Sequence, residues 1–212
     1  MTDFASAHSI HSMNLSKESD EKLVQLYQSG HKEVFEEILN RYESRIYNFG
    51  VKMCRQAEDA KDLLQDTFLN VFRYLDSFRG ETRFKNWLYR IASTACLKKQ
   101  RKRKHQPDVE LSWEELLPGD HPSSEDKPGW LSTPAEQLMN KEMTEFIADS
   151  LQELPPKYRQ VFLLRDMEEF NTSEVAQILG ISEASVKTRL HRARIFLRNK
   201  IQEQFGGLHS GS

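Results

Sequence analysis

Five of the seven prolines in this chain, Pro107, Pro118, Pro122, Pro128 and Pro134, fall between residues 105 and 134, together with Gly119 and Gly129. No other feature constrains the fold as much. A proline lacks the backbone N–H and clashes with the carbonyl four residues earlier, so no helix crosses that spacing. The 212 residues are thereby cut into two parts, each the size of one small domain. Residues 105–134 read as a flexible, acidic, proline-rich linker, although Leu111, Trp113, Leu116, Leu117, Trp130 and Leu131 make it more apolar than a plain spacer.

On both sides of this break, apolar residues recur every three or four positions, the period of a helix with one buried face. Ser19 or Asp20 caps a short helix carrying Leu23, Leu26 and Tyr27. After Gly30 a longer one carries Val34, Phe35, Ile38, Leu39, Tyr42, Ile46 and Phe49. A third starts near Glu58, with Leu63, Leu64, Phe68, Val71, Phe72 and Leu75 inward. Its Asp59, Asp62 and Asp66 lie toward the N-terminal half, where negative charge complements the helix dipole. Beyond Gly80 a fourth runs from about Arg83 into a basic tract, with Phe84, Leu88, Ile91 and Ala95 as its core stripe. No segment alternates with period two. The predicted fold is all-α: two small helical domains, 19–104 and 135–205, joined by the linker 105–134, with flexible ends at 1–18 and 206–212.

The formal net charge is only −2, but its distribution is uneven. Six of the seven residues from Lys98 to Lys104 are basic, and from Val186 to Ile201 there are six basic residues and no acid. Between His105 and Ser150 lie eleven acids against two lysines. Two basic segments separated by an acidic one favour a polyanionic partner more than a net charge does. Cys54 and Cys96 form no CxxC motif, and His8 and His11 sit on a Ser-rich tail, so neither a metal nor another cofactor is expected. Without a long apolar run or a signal-peptide core, the chain reads as a reduced cytoplasmic protein with no membrane insertion. No serine–histidine elbow, Gly-rich phosphate loop or paired carboxylates in an apolar setting is present, so it is not expected to be an enzyme.

The C-terminal part carries the sharpest pattern. Ser150 to Arg165 reads as a helix with Leu151, Leu154, Tyr158, Val161 and Phe162 inward, and Pro155-Pro156 marks a break or its true start. Thr172 or Ser173 caps a short helix containing Val175, Ala176, Ile178 and Leu179; Gly180 ends it, Ile181 plugs the corner, and Ser182 caps the next helix. There Val186, Leu190, Ala193 and Leu197 form one apolar seam, with Lys187, Arg189, Arg192, Arg194 and Arg198 off it. A short helix, a glycine turn and a capped basic helix make a helix-turn-helix, whose second helix enters the major groove of duplex DNA. Its cations displace phosphate counterions, and Ser185 and Thr188 are short enough to approach base edges. The alternative is an amphipathic helix with a solvated basic face.

In Phe78 to Lys104, aromatic residues (Phe84, Trp87, Tyr89) interleave with basic ones (Arg79, Arg83, Lys85, Arg90). Exposed rings beside cations suit unstacked single-stranded bases. Phe84 and Leu88 lie on the core stripe, whereas Trp87, Arg90 and Thr94 share a neighbouring face.

The run DAKDLLQDTFLNVFRYLDSFRGETRFKNWLYRIA (59–92) resembles the second conserved region of bacterial sigma factors. LPPKYRQVFLLRDMEEFNTSEVAQILGISEASVKTRLHRAR (154–194) resembles their fourth. The two stand in the family's order without a third-region domain between them, as in the extracytoplasmic-function type of the sigma-70 family. The resemblance implies binding of core RNA polymerase (β′ clamp coiled coil and β flap) through an acidic helix, here Asp62, Gln65 and Asp66. It implies capture of the melted −10 strand by Thr82, Arg83, Phe84, Asn86, Trp87, Arg90 and Thr94, with Lys98 and Arg101 on nearby phosphates. Ser185, Lys187, Thr188, His191 and Arg192 would read the duplex −35 element. It further implies control by an anti-sigma factor and a monomer within the holoenzyme. The linker acids Glu110, Glu114, Glu115, Asp120, Glu125 and Asp126 would then mimic nucleic-acid charge near the RNA exit path. Two other readings use the same residues: a stand-alone dimeric repressor or activator, and a nucleic-acid-processing enzyme, for which no nucleophile or metal ligands are evident.

Overall fold

The computed structural model describes residues 14–54, 56–103 and 139–205, with backbone alone at 98–103, 139–142 and 144. Among these residues the long elements are all α-helical: α1 (Asp20–Gln28), α2 (Val34–Met53), α3 (Ala57–Tyr74), α4 (Phe84–Arg103), α5 (Met139–Glu153), α6 (Pro156–Phe162), α7 (Thr172–Leu179) and α8 (Glu183–Phe205). They form two compact units, the first holding α1, α3 and most of α2 and α4, the second holding α5 to α8. The linker, with the expected boundaries at 104 and 135, lies outside the described residues, as do the acids assigned to it and the 206–212 end. No helix among the described residues is long and apolar enough to cross a membrane.

In the first unit Ser19 caps α1, its hydroxyl accepting from the Lys22 amide at 3.2 Å. Asp20, the first helical residue, instead accepts from the Tyr42 hydroxyl and from Arg41 of α2 at 2.9 Å. Arg41 also donates to the Leu15 carbonyl at 2.7 Å. This holds a 3-10 turn, Leu15–Lys17, within the stretch that the sequence assigns to a flexible end. Ile38, Ile46 and Phe49 of α2, Leu63 and Val71 of α3, and Phe84, Leu88 and Tyr89 of α4 are fully buried or nearly so. Edge-to-face ring pairs join α2 to α4, Tyr42 with Phe84 at 5.8 Å and Phe49 with Tyr89 at 5.6 Å, a favoured aromatic geometry.

The buried sets differ in detail from the periodicity. Val24 rather than Leu26 joins the core of α1. Phe72, expected inward, is 54% exposed. On α4 the stripe runs Phe84, Leu88, Ala92, Cys96 with Tyr89 beside it, and Ile91 and Ala95 are half-buried. With α4 turned this way, Tyr89 meets Phe49 of α2 edge-on.

α2 and α3 approach closely at Gly50. A Cβ there would stand 3.0 Å from Leu63 Cδ2 and 3.2 Å from the Ala60 Cα. That proximity explains a glycine inside a helix, where it costs roughly 0.5–1 kcal/mol relative to alanine.

In the second unit Pro156 occupies the first turn of α6, where its missing N–H leaves no bond unmade. A π turn, Leu163–Met167, extends α6. α7 is capped by Asn171, one residue before the expected Thr172 or Ser173. Asn171 Oδ1 accepts from the Glu174 amide, and Glu174 Oε2 accepts from the Asn171 amide, both at 2.9 Å. This reciprocal box satisfies two otherwise unpaired donors. Gly180 closes α7 in the left-handed conformation (φ +65°), with the Ile181 amide donating to Ala176 at 3.1 Å. Ser182 caps α8 through the Ser185 amide at 3.2 Å. α8 packs against α5, α6 and α7, burying the expected Val186, Leu190, Ala193 and Leu197 together with Ile195 and Phe196.

Two outcomes follow. Gly50→Ala lowers stability in urea unfolding by about 1–3 kcal/mol, because overpacking outweighs the better helix propensity of alanine. The Tyr42 phenol is raised well above its ordinary pKa of 10.0, first by burial and then by its bond to Asp20. It therefore keeps its proton more tightly folded than unfolded. Its contribution is complete below about pH 10 and is lost as pH rises past that value. Tyr42→Phe flattens this alkaline limb, as pH-dependent thermal unfolding will show.

Candidate nucleic-acid interface

With 3.6 residues per turn, α8 turns Thr188, His191 and Arg192 to the side opposite its buried seam, with Ser185 and Lys187 at either edge. Lys187 and Thr188 are exposed; Ser185, His191 and Arg192 are half-buried. Arg192 donates to the Tyr158 hydroxyl of α6 at 3.3 Å, which steadies its guanidinium. The Ser185 hydroxyl lies 2.9 Å from that of Ser182, at the N-terminus of the helix.

Not every cation counted in the sequence faces outward. Arg194 makes a two-pronged ion pair with Asp166 in the π turn, Nη2–Oδ1 2.7 Å and Nε–Oδ2 2.9 Å. The two side chains are only 13% and 7% exposed. Lys200 pairs with Glu153 of α5 at 2.6 Å. Both were indistinguishable from groove-facing cations in the sequence, because charge type does not reveal which helix lies opposite. The groove-facing cations are therefore fewer than the six that the sequence places from Val186 to Ile201.

On α4, Trp87 is half-buried and its indole lies against Phe78 (4.9 Å, 41°) and Phe84 (5.9 Å, 45°). Arg90 and Thr94, three and seven residues on, are exposed on the same face. Arg83 is exposed where α4 begins, its carbonyl accepting from the Trp87 amide at 3.2 Å, and Thr82 is half-buried before it. Two residues of the expected −10 set stand elsewhere. Phe84 is 0% exposed and Asn86 5%, so neither offers a surface to a base; Phe84 instead backs Trp87 from the core. Tyr89, counted among the interleaved aromatics, is also buried. Phe78 was passed over because it precedes α4 and obeys no helical period, yet it supplies the ring against Trp87. The side chains of Lys98 and Arg101 lie outside the described residues, although α4 extends through both.

On α3, Asp62, Gln65 and Asp66 are exposed on one face. Leu69 and Phe72, each 54% exposed, continue that face toward the C-terminus. Periodicity assigned Phe72 inward and overlooked Leu69, since an apolar residue on an outer face gives no signal of its own.

The Asp166–Arg194 pair supplies a test of the local structure. Asp166→Ala leaves a largely buried guanidinium without its carboxylate and lowers the stability of the second unit by about 3–5 kcal/mol. Replacing both partners with apolar residues of similar volume recovers most of that loss in thermal unfolding.

Comparison with known proteins places these surfaces in context. Residues 38–106 match the family described as Sigma-70 region 2, and residues 147–197 match Sigma-70, region 4. The ECF RNA polymerase sigma factor SigW of Bacillus subtilis is 30% identical over 184 residues, covering 86% of this chain and 96% of that protein. The RNA polymerase sigma-H factor of Pseudomonas aeruginosa is 28% identical over 191 residues, covering 89% and 96%. Among solved structures, CnrH in complex with the cytosolic domain of CnrY aligns with a TM-score of 0.61 at 22% identity, over 88% of this chain and 99% of that one. RpoE from Bartonella quintana, in complex with the anti-sigma factor NepR, aligns at 0.58 and 21%, over 79% and 96%. These two share the all-helical fold. With both sigma regions in order and a relative this similar along nearly its whole length, the chain belongs to the ECF RNA polymerase sigma factors of the sigma-70 family, transcription initiation factors that recognise promoters.

Proposed function

We propose that the two units divide promoter recognition between them. The first, residues 19–104, docks on the β′ clamp coiled coil of core polymerase through Asp62, Gln65 and Asp66, and Leu69 and Phe72 add apolar area to the same face. Its α4 surface takes the −10 strand. Trp87, braced by Phe78 and Phe84, offers a ring to an unstacked base, while Thr82, Arg83, Arg90 and Thr94 contact its edges and backbone. Lys98 and Arg101 hold phosphates beyond. Unstacking a base costs a few kcal/mol, offset by stacking at roughly 1–3 kcal/mol per base and by hydrogen bonds.

The second unit, residues 135–205, leans on the β flap and reads the −35 element as duplex. Lys187 and Arg192 meet phosphates or guanine edges, and Ser185, Thr188 and His191 fill the groove between them. Polymerase holds both halves on one DNA molecule, so neither needs high affinity alone. The factor acts in the cytoplasm as a monomer within the holoenzyme. An anti-sigma factor covers these surfaces when it is idle, a reading supported by the solved complex of RpoE with NepR.

One observation carries the proposal: a single chain presents both a braced, half-buried Trp87 among arginines and a capped basic recognition helix. In vitro transcription with core polymerase on a genomic library tests it, and the absence of any promoter-specific transcript sinks it. Within that assay Lys187→Ala weakens −35-dependent initiation and lowers the log–log salt slope of duplex binding by about 0.9. Trp87→Ala impairs opening of duplex promoters but spares −35 binding and recovers on pre-melted templates. Equal loss on both templates would show Trp87 to be only a core residue.

A further inference from the structure

The region 2 match begins at residue 38, so α1 and the turn after it lie outside the matched segment. Yet α1 reaches the −10 surface. The two N–H groups of the Gln28 carboxamide donate to the Leu75 carbonyl at 2.9 Å and to the Phe78 carbonyl at 2.7 Å. These contacts cross 47 and 50 residues of sequence. Leu75 opens the 3-10 turn (Leu75–Ser77) that ends α3, and Phe78 is the residue whose ring stacks on Trp87 at 4.9 Å. Neighbours of Gln28 reinforce the same join. The Tyr27 ring meets Phe72 edge-on at 6.3 Å, and Lys32 pairs with Asp76 while lying 3.8 Å over the Tyr27 ring.

We propose that Gln28 is a positioning residue for promoter opening, fixing the backbone at Phe78 and, through the Phe78 ring, the tilt of Trp87 toward the melted strand. The proposal rests on the −10 reading of α4 given above. The physical case is one of leverage. Segment 78–83 contains Gly80 in the left-handed conformation (φ +70°), where a Cβ would meet no atom within 4 Å. Its course is anchored at Phe78, whose carbonyl is held by Gln28 and whose ring lies against Phe84 and Trp87, and at the α4 N-terminus. Gln28 lies at the surface, so its removal costs little fold stability; what it removes is the second attachment of a reading loop.

The test uses the full-length protein with core polymerase and compares three variants. Gln28→Leu keeps the volume and removes both donors. Gln28→Lys keeps an N–H donor of similar reach. Trp87→Ala reports whether α4 takes the strand at all. Permanganate reactivity on a duplex promoter measures opening, alongside opening on a pre-melted template, affinity for core polymerase and the thermal midpoint.

The expected result is a loss of roughly ten-fold in opening rate for Gln28→Leu, the scale of one or two positioned hydrogen bonds. Gln28→Lys stays within about two- to three-fold of the parent, and both variants keep the parent's polymerase affinity, thermal midpoint and pre-melted activity. Opening by Gln28→Leu at the parent's rate, with Trp87→Ala impaired, overturns the positioning role and leaves the −10 reading standing. Parallel falls in thermal midpoint, polymerase affinity and opening also overturn it, by showing a role in folding only. If Trp87→Ala opens normally, the −10 reading itself fails and takes this proposal with it.

Discussion

Burial of one side of α8 is the condition on which the second unit depends. A helix that reads a groove must leave one face bare over that stretch, so its place is held by its apolar seam and, further along, by Ile195 and Phe196. Val186, Leu190 and Leu197 each contribute about 1.5–3 kcal/mol by leaving water, and α5, α6 and α7 all pack against α8. The Asp166–Arg194 pair adds a directional contact between the helix and the π turn beside it. Direction specified by an ion pair and depth specified by apolar contact are complementary, because the first is geometric and the second is not.

The first unit solves a different problem. In the proposed reading its recognition surface is a side chain backed by rings rather than a helix face laid in a groove. Phe84 is buried, Phe78 half-buried and Trp87 half-buried, so the three form a graded stack from core to surface. A surface ring with such backing loses little freedom when a base arrives, which is how an aromatic platform becomes selective for geometry.

Much of this was legible beforehand. The proline cluster announced the division into two, and period-three-and-four patterns located most of the long helices, because a helix with one wet face must repeat that way; α5 was missed as an element of its own, its last residues from Ser150 being joined to the helix that starts at Pro156. The seam of α8 was read correctly residue by residue. Three things were not legible. The azimuth of α4 was misjudged by about one position, since Tyr89 and Ile91 are both apolar enough for either face and only Phe49 decides between them. The α7 cap was placed late, although Asn171 and Glu174 stand at the capping-box interval; threonine and serine next door are equally good caps on composition. Arg194, read as a cation off the seam, and Lys200, counted in the basic run, pair with acids of other elements, because a sequence carries charge signs but no distances to those acids. At the candidate site, helix-face reasoning found Trp87, Arg90 and Thr94, and it failed where a loop residue, Phe78, supplies the second ring.

The helix-turn-helix is closed by its own chemistry at each junction: the Asn171–Glu174 box before α7, left-handed Gly180 after it, and the Ser182 hydroxyl at the head of α8. None of these bonds waits for DNA. A motif whose backbone is ordered before it meets DNA loses only side-chain freedom on association. Its heat-capacity change on meeting duplex therefore reflects only the area covered, and its encounter rate is governed by electrostatic steering rather than by refolding.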